Sequence, residues 1–79
     1  MRTMTATMKY ALLEGPKICG SYEPEEVLGS FEEGMTAKEY EDAENFLAWI
    51  VFKNYTYGHG NLQDRWDEFL SSTSENIVP

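Results

Sequence analysis

The segment TMTATMKYALL, residues 3–13, decides the predicted fold class, because its residue pattern has a period of two. Apolar and polar residues alternate along it. The residues that would share one face of an extended chain are Met4, Ala6, Met8, Tyr10 and Leu12. Alternation with a period of two, in the presence of Thr and Tyr, is typical of a half-buried strand. Residues 3–13 are therefore predicted to form a β-strand.

The residues that follow complete a predicted hairpin. Gly15 and Pro16 form a dipeptide that is typical of a turn, and residues 17–22 are long enough to return as a second strand before Pro24. A two-stranded sheet is stable only when other elements pack on it. The sequence thus predicts an α+β fold, in which a short N-terminal β-hairpin packs on two or three helices.

The remainder of the chain carries helical signals. Pro24 suits the first position of a short helix over residues 25–33, which Gly29 weakens and Gly34 ends. Thr36 and Glu39 have the spacing of a capping box, so a longer helix is predicted from there to about residue 54. Its predicted buried stripe consists of Ala37, Tyr40, Ala43, Leu47, Ile50 and Val51, widened by Phe46 and Trp49.

The glycine-broken loop YTYGHG, residues 55–60, separates that helix from a last one over residues 62–72. Its predicted apolar face consists of Leu62, Trp66, Phe69 and Leu70. We expect one domain over residues 1–79, with residues 1–2 and 73–79 frayed. The longest apolar run is too short to span a bilayer, and the N-terminus lacks the unbroken apolar stretch of a signal peptide, so a cytoplasmic location is predicted.

The net charge of −8 comes from one part of the chain. Residues 23–44 contain nine acidic residues and one base, Lys38, which sum to −8. The rest of the chain contains five acidic and five basic residues, which sum to zero. A local excess of charge creates a directed field, whereas uniform acidity would affect solubility alone.

This charge pattern excludes some classes of function and leaves others open. Phosphate contacts need clustered Lys and Arg, so binding of nucleic acid or of an anionic membrane is disfavoured. Acidic residues on the outer face of a helix diverge, so we predict no metal site, no cofactor and no enzymatic activity. A small enzyme or metal protein built on the single cysteine and single histidine, Cys19 and His59, stays as an alternative. So does an acidic face that serves solubility alone.

Concentrated like charge destabilises a small fold, which favours a use for the field: binding a basic, nucleic-acid-binding protein or complex. Carboxylates predicted to contact that partner are Glu25, Glu26, Glu32, Glu33, Glu39, Glu41, Asp42 and Glu44. Tyr55, Tyr57 and His59 are predicted to add contacts from the loop. The alternative for these three is a turn packed against the last helix. The sequence leaves the oligomeric state open.

In size, acidity and α+β layout the chain resembles the small acidic inhibitors of the anti-CRISPR type that phages encode. Residues 42–70, DAENFLAWIVFKNYTYGHGNLQDRWDEFL, are similar in layout to the helix, glycine-broken loop and helix that end some type I anti-CRISPR proteins. The resemblance implies a noncatalytic inhibitor that mimics nucleic-acid charge and blocks DNA recruitment by a surveillance complex in the host cytoplasm. The alternative is an acidic interaction module, such as an antitoxin or small subunit that neutralises a basic partner.

Overall fold

The structure, a computed structural model, describes the backbone of residues 4–77 and the side chains of residues 4–72. Its elements in chain order are α1 (Ala6–Cys19), α2 (Pro24–Leu28), a 3₁₀ helix (Gly29–Gly34), α3 (Ala37–Lys53) and α4 (Leu62–Ile77). No strand occurs among residues 4–77. The prediction of an α+β fold with an N-terminal hairpin is therefore wrong, and the domain is helical.

Residues 6–13 of the predicted first strand lie in α1. Thr5 caps this helix, because its hydroxyl accepts the amide hydrogen of Met8 at 3.1 Å. Two members of the predicted strand face, Ala6 and Tyr10, are exposed. The buried positions of α1 are Met8, Ala11, Leu12 and Gly15, spaced three, one and three residues apart as on one face of a helix. Alternation was ambiguous because residues four apart share a face in both a strand and a helix.

Gly15 and Pro16 lie inside α1, so the predicted turn between two strands is wrong. A Cβ at Gly15 would lie 2.6 Å from Cγ1 of Val27 and 2.7 Å from its carbonyl oxygen, so α1 and α2 touch at this glycine. The helix continues to Cys19 and ends at Gly20, which has a left-handed φ of 74°. Residues 17–22 therefore finish α1 and lead into α2 instead of returning as a strand.

Proline within a helix leaves the carbonyl four residues earlier without its amide donor. In α1 that carbonyl belongs to Leu12, and the hydroxyl of Tyr57 donates to it at 2.5 Å. The hydroxyl of Tyr22 in turn donates to the carbonyl of Tyr57 at 3.2 Å. The loop between α3 and α4 thereby supplies the hydrogen bond that Pro16 removes.

The predicted helix start at Pro24 and the predicted capping box of α3 are confirmed. The helical region that starts at Pro24 changes from α to 3₁₀ at Gly29. The capping box of α3 is complete: the Glu39 amide donates to the Thr36 hydroxyl at 3.1 Å, and the Thr36 amide donates to the Glu39 carboxylate at 2.9 Å. Asn54, with a left-handed φ of 59°, ends α3.

The core lies where α1, α2, α3 and α4 meet, and Phe46 is at its centre. The Phe46 ring lies 5.3 Å from that of Trp66 and 5.6 Å from that of Phe69, centroid to centroid. The predicted α4 face is confirmed, but Ala37 and Val51 of the predicted α3 stripe are exposed. Helix α4 runs to Ile77, beyond the predicted end at residue 72.

Residues 1–3 and 78–79, which include parts of the predicted frayed ends, lie outside the described residues. None of the described helices is long and apolar enough to cross a membrane.

Candidate acidic interface

Carboxylates from α2, the 3₁₀ helix and α3 lie along two adjoining grooves. The first groove, about 580 Å³, lies between the start of α2 and the middle of α3. The second, about 430 Å³, lies beside the start of α3. Glu44 lines both, so the two grooves form one surface. We call the six carboxylates that line it the acidic face: Glu23, Glu25, Glu26, Glu32, Glu41 and Glu44.

Packing of the helices on the core determines the direction of these carboxylates. Pro24 begins α2, so Glu25 and Glu26 fall in its first turn, where the helix dipole favours negative charge. The next two residues, Val27 and Leu28, are fully buried. Because one side of this short helix is held in the core, Glu25 and Glu26 are directed to solvent.

No lysine or arginine lines either groove in the described part of the chain. Lys38 is the one base in residues 23–44, and it lies beside the acidic face. Its ammonium nitrogen is 4.0 Å from a carboxylate oxygen of Glu41 and 3.7 Å from one of Asp42. Most of the charge of the acidic face therefore has no counter-charge within the grooves.

Tyr40, which lines the second groove, responds to this field. Burial raises the pKa of its hydroxyl above the ordinary value, because the tyrosinate anion is less well solvated there. The charges of Glu32, Glu44 and Glu25, in that order, raise this pKa further. These carboxylates come from three different elements, so the fold concentrates their charge at one place.

Glu39, a predicted contact residue, accepts hydrogen bonds from within the fold through both carboxylate oxygens. One carboxylate oxygen accepts the Thr36 amide at 2.9 Å, and the other accepts the Thr5 hydroxyl at 2.6 Å. The hydrogen bond from Thr5, and next the one from the Thr36 backbone, lower the pKa of Glu39. This carboxylate joins the start of α1 to the start of α3, because Thr5 and Thr36 are the two N-caps.

Two other predicted contact residues also lie outside the acidic face. Asp42 is buried, with 5% of its surface exposed, and Lys38 lies beside it. It adds negative charge but little surface that a partner could touch. Glu33 is exposed on the 3₁₀ helix without lining either groove.

The loop aromatics lie elsewhere, and both pack within the fold. Tyr57 binds the Leu12 carbonyl, as described above. The Tyr55 hydroxyl donates to Glu68 at 3.0 Å, and the guanidinium carbon of Arg65 lies 3.9 Å from the centre of the Tyr55 ring. Tyr55 thus packs against the last helix, whereas Tyr57 packs against α1 and α3.

His59 is exposed beside a smaller groove of about 240 Å³, which shares no lining residue with the acidic face. Its ring nitrogen Nε2 lies 3.4 Å from the ammonium nitrogen of Lys17. The Cys19 thiol donates to the Ser21 carbonyl at 3.4 Å. Within the described residues, no three His, Cys, Asp or Glu side chains are grouped so that they could hold a metal ion.

One residue of the acidic face and two exposed apolar residues near it were missed by the sequence-based choice of contacts. Glu23 lines the first groove, and its position just before Pro24 was the available signal. Val51 and Phe52, at the end of α3, are 42% and 82% exposed. The sequence placed Val51 in the core, because a helix with apolar residues on several sides does not reveal which side its neighbours cover.

Comparisons with known proteins add no relative to this geometry: no family model, no curated protein and no solved structure matches the chain. The resemblance to anti-CRISPR inhibitors therefore stays a prediction from size and acidity. Its third component, an α+β layout, is contradicted by the helical fold.

Proposed function

We propose that this protein is a noncatalytic inhibitor that places its acidic face on the basic nucleic-acid-binding surface of another protein and excludes nucleic acid from it. The observation that carries this proposal is the convergence of six carboxylates from α2, its preceding residue, the 3₁₀ helix and α3. No base lines the same grooves among the described residues. Arg and Lys side chains form their strongest hydrogen bonds with carboxylates and phosphates, so a surface built for one can accept the other.

The spacing of the charges supports mimicry of nucleic acid. Duplex DNA carries one negative charge per about 1.7 Å of its axis, or about 3.4 Å along each strand. Glu41 and Glu44 are three residues apart on α3, which corresponds to about 4.5 Å of helix rise. They are held on a helix whose opposite side is buried at Ala43 and Leu47. A fixed carboxylate array binds cations with a smaller loss of entropy than a flexible acidic tail.

The specific target in this proposal is a surveillance complex of the CRISPR type, in the cytoplasm of the host cell. Small size and local acidity support this choice. An antitoxin or a neutralising subunit would use the same acidic face, but it would not need to compete with nucleic acid. Competition is therefore the property that distinguishes the inhibitor from these alternatives.

The test measures binding of labelled target DNA to a purified type I surveillance complex, with increasing amounts of this protein. We expect the protein to displace DNA, and its apparent affinity to fall steeply with salt, because opposite charges guide the association. Reversing Glu25 and Glu44 to Lys should weaken inhibition by at least about tenfold, since each new lysine faces a cationic surface.

The matched control reverses Asp64 and Asp67, which are exposed on α4, to Lys. Both double variants change the net charge equally, and each alters one carboxylate in the first turn of a helix. The control should change inhibition by less than about twofold, because local charge decides binding. If no inhibition occurs with this complex, the CRISPR target is wrong, and the competition is repeated with partners captured from cells. Equal effects of the two double variants on a captured partner would refute the inhibitor proposal.

A further inference from the structure

The first groove of the acidic face continues into an apolar surface at the end of α3. Ala48 is exposed and lines the groove, and Phe52 follows it by four residues, on the same side of the helix. Phe52 is 82% exposed, and the neighbouring Val51 is 42% exposed. From Glu44 to Phe52 the helix rises by about 12 Å, so charge and apolar surface are about two turns apart.

We propose that this surface binds a basic amphipathic helix of the partner, whose contacting face carries cations over the carboxylates of the first groove and, about two turns further along, an apolar residue against Val51 and Phe52. This inference rests on the proposed function and names the kind of structure that the acidic face recognises. We call the combined surface, which consists of the first groove with Val51 and Phe52, the docking groove.

Charge selects the occupant. The carboxylates in this groove are Glu23, Glu25, Glu26 and Glu44, and no base lines it in the described residues. A second copy that docked through the same surface would bring these carboxylates against their own copies, and like charges in contact oppose association. An anionic lipid surface is repelled for the same reason. A cationic segment satisfies both the charge and the position of the groove.

The backbone of the groove walls favours a helical partner segment over an extended one. Its walls are α2 and α3, whose amide and carbonyl groups bond within each helix, so they offer no sheet edge to an extended peptide. A helix satisfies its own backbone hydrogen bonds, so it can lie in this groove without backbone partners from the walls. Pro24 and Ala48 line the groove with short side chains, which lets a helix approach closely between the acidic side chains.

The test uses two synthetic peptides of the same Lys and Leu composition. One is ordered as an amphipathic helix whose contacting face carries lysines and, about two turns further along, leucines, and the other is scrambled. Binding of each fluorescent peptide to the full chain is measured by anisotropy at low salt. The amphipathic peptide should bind at least about tenfold more tightly, because only its order places cations and leucines on the two parts of the docking groove.

Phe52→Ser should weaken binding of the amphipathic peptide by about tenfold, the effect of losing one buried aromatic contact, and should leave the scrambled peptide unaffected. Ile18→Ser is the matched control, because Ile18 is 70% exposed on α1 and does not line the groove. Reversing Glu25 and Glu44 to Lys should weaken binding of both peptides.

The docking-groove proposal would be overturned by any of three results: equal binding of the two peptides, no detectable binding of either, or equal effects of the two serine variants. So would sedimentation showing a dimer that Phe52→Ser dissociates, because a second copy would then be the occupant. None of these results refutes the proposed function, which depends on competition with nucleic acid. If the wild-type chain bound the amphipathic peptide as expected but did not compete with nucleic acid, the proposed function alone would be refuted.

Discussion

The hydrogen bond from Tyr57 to the Leu12 carbonyl allows a quantitative test of how this helical fold accommodates Pro16. The perturbation is Tyr57→Phe, which keeps the ring and removes the donor. Leu12 is fully buried, so its carbonyl would lose the partner that replaces the missing amide of Pro16. A buried polar group left without a partner costs about 1–3 kcal/mol, so we expect the free energy of unfolding to fall by about 2 kcal/mol.

A second substitution tests the cause. Pro16→Ala restores the amide that can donate to Leu12 in a regular helix. In the Pro16→Ala background, Tyr57→Phe should lower the free energy of unfolding by only about 0.5–1 kcal/mol, because the Leu12 carbonyl keeps the amide of residue 16 as a donor. The double-mutant cycle should therefore give a coupling energy of about 1 kcal/mol between two residues 41 positions apart in the sequence.

The assay is urea denaturation of the four proteins, followed by circular dichroism, with a thermal melt as a second measurement. For a domain of this size, 2 kcal/mol corresponds to a fall in Tm of about 8–16 °C. Tyr10→Phe is the control, because Tyr10 is 61% exposed. The free energy of unfolding of this variant should stay within about 0.5 kcal/mol of the wild-type value. Additive effects of Pro16→Ala and Tyr57→Phe would refute the claim that Tyr57 replaces the amide that Pro16 lacks.

Three further predictions concern packing, pH and salt. Gly15→Ala should destabilise the fold by about 1–3 kcal/mol in the same urea assay, because the added Cβ would meet Val27. Gly29→Ala is the control and should be neutral or stabilising, because a Cβ there meets nothing within 4 Å. Burial raises the pKa of Tyr57 above the ordinary tyrosine value of about 10, so its contribution to stability is complete below pH 10 and is lost as pH rises further. Urea denaturation at about pH 9 and 11 should show this loss, and Tyr57→Phe should reduce it, while an unchanged pH dependence would contradict the assignment. Salt at neutral pH should raise Tm by screening repulsion in the acidic face, and a Tm independent of salt would indicate that these carboxylates are well paired within the fold.

The sequence by itself determined the elements whose signals lie within a few residues of one another. The capping box of Thr36 and Glu39 predicted the start of α3, and the spacing of Leu62, Trp66 and Phe69 predicted the buried face of α4. Both signals are local, because a helix cap and a helix face are formed by residues one or two turns apart. The concentration of charge in residues 23–44 was also determined by the sequence alone, because it follows from counting acidic and basic residues.

Only the tertiary structure decided the conformation of residues 4–13 and the shape of the acidic face. Met4, Met8 and Leu12 fit a strand and a helix equally well, and packing of α1 on α2 selects the helix. Pro16 signals a turn when residues near it are considered alone, but the donor that lets the helix continue is Tyr57, 41 residues later. Long-range contacts likewise decide which carboxylates meet solvent, because burial depends on neighbours that local periodicity does not specify.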